Sequence, residues 1–197
     1  ELKTPIAIIS ANNELCEMLY GENEWTQSSK EQIQRLTELI NRLVVLARFE
    51  EQANVTAVNI DFSNIVEKSS KSFKDIFISG DEGALYELIN ILIDNANKYC
   101  DEGGTIGVRL SQHGITFKKA KLVIYNTYKE GKNIDYSKFF ERFYREDQSH
   151  NSSISGYGVG LSIARNIINR HKGKIHVTYK NDIIYFNVYF NMVTNTE

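Results

Sequence analysis

The 197-residue chain sets 23 Lys and Arg against 25 Asp and Glu, for a net charge of −2, with 42% hydrophobic and 24% charged residues. That length suits one large domain or two small ones, and the balanced charge excludes a general basic field, so no nucleic-acid partner is expected. No apolar run approaches the roughly 20 residues of a bilayer span, no secretory leader is legible, and Cys16 and Cys100 give neither a disulfide framework nor a metal spacing, which favours a reducing, intracellular setting.

The first fifty residues read as a helical hairpin. Leu2, Ile6, Ile9, Asn13, Cys16 and Tyr20 step by fours and threes, the seam of a helix that packs in a bundle. Asn13 either sets register in that seam or faces solvent on a slightly rotated helix. Gly21-Glu22-Asn23-Glu24 breaks the pattern, and Thr26, Ser28 or Ser29 is the expected cap of a second helix, with Glu31 close behind. Ile33, Leu36, Ile40, Leu43 and Ala47 repeat the spacing. A two-helix hairpin exposes an apolar stripe, so a second copy is expected to complete a dimeric four-helix bundle.

From residue 55 the character changes. Val55 to Ile60 predicts a short strand, Asp61 or Ser63 can cap a helix through about Phe73, and Ile76 to Ser79 reads as another strand. Gly80-Asp81 opens a strong helix whose Leu85, Leu88, Ile89, Leu92, Ile93 and Ala96 mark a wide buried face. Gly103-Gly104 turns the chain into strands near 105–111 and 121–126. An aromatic-rich polar loop then runs to about Asn151, followed by a helix near 159–170 with Gly173 as its stop. Closing strands at 174–179 and 183–190 are joined by Asn181-Asp182, a hairpin turn. The expected fold class is α+β: a helical hairpin (1–52), a linker (53–60) and an α/β sandwich domain (61–197), in preference to a doubly wound parallel sheet.

Three segments carry chemistry. Gly156-Tyr157-Gly158-Val159-Gly160-Leu161 leads into a helix, and glycines so spaced let backbone N–H groups approach an anion. No Gly-Lys-Ser/Thr follows, so this is not a Walker loop, and a merely flexible loop also uses glycine. Asn95, Lys98 and Tyr99 share one helix face at i, i+3 and i+4. An amide oxygen there suits a partly hydrated magnesium ion, and Lys98 would offset phosphate charge; a solvent-facing polar stripe is the plainer alternative. Phe139, Phe140, Phe143 and Tyr144 fall within six residues. They either anchor a lid from which Arg145 reaches phosphates or form a satellite cluster under a long loop.

In this order the three segments resemble the catalytic core of the bacterial sensor histidine kinases. Asn95-Ala96-Asn97-Lys98-Tyr99 looks like the N box, Phe140-Glu141-Arg142-Phe143-Tyr144-Arg145 the F box, and Gly156 to Gly160 the second glycine box. Glu1-Leu2-Lys3-Thr4-Pro5 resembles the stretch that follows the phospho-accepting histidine, which would stand just before Glu1. The resemblance implies Glu1 as general base, Thr4 as the residue orienting water for dephosphorylation, and a helix bend at Pro5, the sole proline where about ten would be average. It further implies ATP and Mg2+ bound by Asn95, with Asn95 the metal ligand. Lys98 and Arg145 would meet phosphates, Tyr99 would lie beside the nucleotide, and Gly156, Gly158, Val159, Gly160 and Leu161 would form the lid. The implied partners are a second copy of the chain and a response-regulator receiver domain, in a parent anchored to the cell membrane.

Two departures stand out. Asn126-Thr127-Tyr128-Lys129-Glu130-Gly131 replaces the aspartate and glycines of the first glycine box, leaving Asn126 as the adenine reader and allowing weakened affinity. The stretches around Phe73-Lys74 and Gly114–Ala120 look shorter than is usual in the family. His113, His150, His171 and His176 read as structural or surface residues, His171 as a cation at a helix end, and Cys100 as a small buried residue. Rival readings are another ATPase or serine kinase of the same superfamily, and a dimeric scaffold with a decayed nucleotide site.

Overall fold

The computed structural model describes residues 3–51, 58–62, 76–115, 117–144 and 158–193. The chain divides into two compact units, Glu1–Glu51 and Gln52–Glu197. Among the described residues no helix is long and apolar enough to cross a membrane.

The first unit is the hairpin of α1 (Lys3–Tyr20) and α2 (Glu24–Glu51). Gly21, at φ +81°, takes the left-handed position that ends α1 and donates its N–H to Glu17 O at 2.9 Å. The cap of α2 is Asn23, not Thr26, Ser28 or Ser29. Its Oδ1 accepts the amides of Trp25 and Thr26 at 3.0 Å each, while its own N–H donates to Thr26 Oγ1 at 3.1 Å. Two orphan amides are satisfied and the exchange is reciprocal, so the helix starts at Glu24. Asn13 is half-buried, and its Nδ2 donates to Thr26 O at 3.0 Å, tying α1 to the first turn of α2. Ile9, Cys16, Tyr20 and Leu36 of the expected seam are exposed, and α1 has no buried residue. A single hairpin therefore leaves its apolar stripe open.

The second unit is α+β. It holds a two-stranded sheet, β1 (Val58–Asp61) with β2 (Phe77–Gly80), and a four-stranded antiparallel sheet ordered β3-β4-β6-β5. The expected linker (53–60) and the helix to Phe73 lie mostly outside the described residues, as do Glu1 and Leu2. Asp81 caps α3 (Glu82–Tyr99), its side chain accepting from Ala84 N at 2.9 Å. Strands β3 (Ile106–His113) and β4 (Lys119–Thr127) form a hairpin, and α4 (Gly160–Arg170) precedes β5 (Lys174–Lys180) and β6 (Ile183–Asn191).

Alternation places Ala120, Leu122, Ile124 and Asn126 of β4 opposite Phe190, Val188, Phe186 and Ile184 of β6, all buried. Onto this face α3 brings Leu85, Leu88, Ile89, Leu92 and Ala96, and α4 brings Ile163, Ala164, Ile167 and Ile168. Phe62 meets Phe190 edge to face at 5.5 Å, which adds β1's end to the same core.

Two turns test the sequence expectations. Asn181 and Asp182 both have positive φ (53° and 58°), the primed turn that matches strand twist. The stop after α4 differs from expectation: Lys172, at φ +53°, is the left-handed residue, and Gly173 N–H reaches back to Ile168 O at 2.8 Å. Gly173 is required for another reason, since a Cβ there would stand 2.7 Å from the Phe190 ring.

His171 is not a helix-end cation. Its Nδ1 lies 2.7 Å from Ile167 O and its Nε2 accepts the Asp81 amide at 3.0 Å, which requires the neutral tautomer. Burial holds its pKa below the usual 6.5. The unfolded chain binds this proton more readily, so the contribution is full above about pH 6.5 and is lost as pH falls through the lower folded value. The expected result is a melting temperature that declines on acidification below about pH 6.5, less steeply in His171→Gln. Equal slopes in the two proteins would contradict it.

Candidate functional site

The site grows from the end of α3. The helix buries Leu92 and Ala96 against the sheet, which leaves Asn95 and Tyr99 half-buried and Lys98 exposed. The Asn95 amide has no hydrogen-bond partner, and Lys98 no ion pair, among the described residues.

Just past α3, the chain is pinned to the end of β4. Asp101 N donates to Thr127 O at 3.1 Å, Thr105 N to Thr127 Oγ1 at 2.9 Å, and Asp101 Oδ2 accepts from Lys129 N at 2.9 Å. These bonds bring Asn126 beneath Tyr99. Asn126 is 1% exposed, and its Nδ2 donates to Tyr99 O at 3.3 Å and to Thr127 O at 3.0 Å. Two carbonyls on one side fix the amide's orientation, because only the NH₂ end can face them. The Oδ1 is left buried with no partner among the described residues. An orphaned buried acceptor is costly unless a donor reaches it.

The glycine segment forms the second wall. Gly158, at φ +66°, accepts the Phe143 amide at 3.0 Å, and a Cβ on it would stand 2.6 Å from Tyr144 O. The aromatic segment and the start of α4 are thereby locked together. Val159 is buried, and the first turn of α4, with Gly160 and Leu161, has no side-chain cap. Uncapped amides at a helix start present partial positive charge. Among the aromatics, Phe140 carries the Arg165 guanidinium over its ring at 6.0 Å.

The structure thus joins Tyr99 to Asn126 and Gly158 to Phe143 and Tyr144, and packs α3 beside α4. Thr4 lies exposed on α1 in the other unit. Glu1, Arg145 and Gly156 fall outside the described residues. Among the described residues no three His, Cys, Asp or Glu side chains gather to hold a metal.

Sequence reasoning missed the supports of Asn126. Asp101 sits between a helix end and a Gly-Gly turn, a placement that signals a backbone-bonding carboxylate. Gly131 is buried where a Cβ would meet the Tyr179 ring at 2.4 Å, so the one glycine kept in the degenerate box is the one the packing needs.

This arrangement of four antiparallel strands under two helices, with an uncapped helix start after a glycine segment, can be compared with known proteins. The family described as histidine kinase-, DNA gyrase B- and HSP90-like ATPases matches residues 80–192. The chain belongs to that family. Within it, the Sensor protein DltS of Streptococcus agalactiae serotype V is 31% identical over 204 residues, covering 92% of this chain and 49% of DltS. The histidine-protein kinase BaeS of Escherichia coli K12 is 28% identical over 89% of this chain and 41% of its own length. The chain spans about half the length of the curated relatives it matches. Of solved structures, full-length ShkA in complex with AMPPNP superposes with a TM-score of 0.71 at 18% identity, over all of this chain and 45% of ShkA. That likeness speaks for the fold. The curated relatives of this ATPase-family domain are sensor kinases.

Proposed function

We propose that the chain is the core of a sensor kinase that binds Mg-ATP, moves the γ-phosphoryl group to a histidine and passes it to an aspartate of a response regulator. The observation that carries the nucleotide reading is the orphaned Oδ1 of Asn126, an acceptor fitted to the exocyclic amine of adenine. Tyr99, joined to it through its carbonyl, would lie beside the base. The uncapped start of α4, at Gly158, Val159, Gly160 and Leu161, suits phosphate oxygens, with Gly156 completing the lid.

The half-buried Asn95 amide has no hydrogen-bond partner among the described residues, and it fits magnesium that takes its other ligands from phosphates and water. The bound ion would supply charge neutralisation at the β- and γ-phosphates. Lys98 and Arg145 would offset the remaining phosphate charge, so the domain works by positioning and electrostatics. In the other unit Glu1 would take the proton from the acceptor imidazole, which the resemblance puts just before it, and Thr4 would orient water for dephosphorylation. The exposed stripe of Ile9, Cys16 and Leu36 supports a homodimeric four-helix bundle, and the resemblance supports a membrane-anchored parent with this core in the cytoplasm.

Titration of the chain with a fluorescent ATP analogue, with and without magnesium, tests the reading. Binding that needs magnesium and weakens about tenfold in Asn95→Ala is expected. No binding at millimolar nucleotide would favour the scaffold reading, which the altered first glycine box motivates.

A further inference from the structure

The connection between β3 and β4 is built to project two apolar side chains into water. Strand pairing runs without a break to His113↔Lys119, so Gly114, Ile115, Phe117 and Lys118 lie beyond the last pair, at the tip. Gly114, at φ +90°, lies so close to the Phe117 carbonyl that a Cβ would stand 2.6 Å from that oxygen. This tight turn leaves Ile115 98% exposed and Phe117 82% exposed. Two neighbouring large apolar side chains held almost wholly in water are unfavourable unless something covers them.

The surroundings indicate what does. His113, Lys118, Lys119 and Lys121 ring the tip, and Lys121 lies over the Tyr189 ring at 5.4 Å, with His113 5.7 Å from the same ring. The sheet face behind continues the charge. With Ala120, Leu122 and Ile124 turned to the helices, alternation turns Arg109, Lys119, Lys121, His176 and Thr178 to the other side. No Asp or Glu occurs in any of the four strands, although the chain as a whole is acidic by two charges.

A convex apolar tip inside a basic collar needs no preformed groove in its partner. A fluid interface accepts it: the apolar residues enter the acyl boundary, the lysines meet phosphates, and tyrosine suits the level between them. We propose that the β3–β4 tip, with its lysine collar, docks the ATPase domain on an anionic phospholipid bilayer. Neither signal alone holds a protein on a membrane, and here the two coincide.

Co-sedimentation of the 197-residue chain with vesicles tests this. Binding to vesicles containing about a third phosphatidylglycerol is expected to exceed binding to pure phosphatidylcholine about tenfold or more, and to weaken with salt. Ile115→Ser combined with Phe117→Ser should reduce the anionic binding about tenfold, with an unchanged melting curve because both sites are exposed. Lys118→Glu with Lys119→Glu should erase the preference for the anionic lipid. Equal binding to both vesicle types, or a double serine variant that binds like the parent, would overturn the proposal. So would capture of the tip by an acidic peptide or an oligonucleotide in preference to vesicles.

Discussion

Asn126→Ala is expected to weaken adenine-nucleotide affinity by about tenfold to a hundredfold and to lower stability by about 1–3 kcal/mol. The two effects come from opposite ends of one amide. Loss of Nδ2 takes the side-chain donor from the Tyr99 carbonyl and leaves the Thr127 carbonyl only the Asp101 amide, which costs folding energy. Loss of Oδ1 removes the buried acceptor that has no partner among the described residues, which costs binding. Guanine offers a carbonyl where adenine offers an amine, so the parent chain should prefer ATP to GTP by about tenfold. Nucleotide titration alongside urea denaturation separates the two effects. Reduced stability with unchanged affinity would show that Asn126 only staples α3 to β4.

Gly158→Ala should lower stability by about 2–4 kcal/mol, against about 1 kcal/mol for Gly103→Ala. Both glycines have positive φ, +66° and +69°. They differ in surroundings: a Cβ on Gly103 meets nothing within 4 Å, whereas one on Gly158 meets Phe143 Cα at 2.9 Å and Tyr144 O at 2.6 Å. The backbone cannot swing aside without breaking the bond from Phe143 N–H to Gly158 O. Denaturation midpoints of the two variants give the comparison directly. Because Gly158 joins the aromatic segment to the start of α4, its substitution should also weaken nucleotide binding, while Gly103→Ala leaves it unchanged. Equal costs for the two variants would mean that this junction is loose.

The contrast between legible and hidden features follows from how local each cause is. The helix α3 was readable because its cap, Asp81, and its apolar spacing act within a few residues. The Asn181-Asp182 turn was readable for the same reason. The start of α2 is less legible because three hydroxyl residues compete for the cap with Asn23, and one of them, Thr26, is its partner in the cap exchange. Gly173 is legible as the stop after α4, but not that Lys172 takes the left-handed turn, because Gly173 is required by a ring on a distant strand and not by its own torsion. For His171 the structural role is legible but the neutral form is not, because its partner is an amide 90 positions away.

In the candidate site, Asn95, Lys98 and Tyr99 stood out by spacing on one helix, and the glycines by composition. That Asn126 would keep an empty acceptor while its NH₂ end is fully used depends on three segments meeting, and no local pattern carries that. The exposure of Ile115 and Phe117 is not legible either, because apolar residues in a short turn between strands can fold back onto the sheet or project from it.

The central claim is chemical: the phosphoryl group leaves ATP for a histidine. The most direct measurement is incubation of the full-length parent protein with magnesium and γ-labelled ATP, followed by acid and alkali treatment of the labelled protein. The account predicts label that is lost in acid and retained in alkali, and that is absent in Asn95→Ala. Acid-stable label, or none at all from a protein that binds the nucleotide, would contradict it.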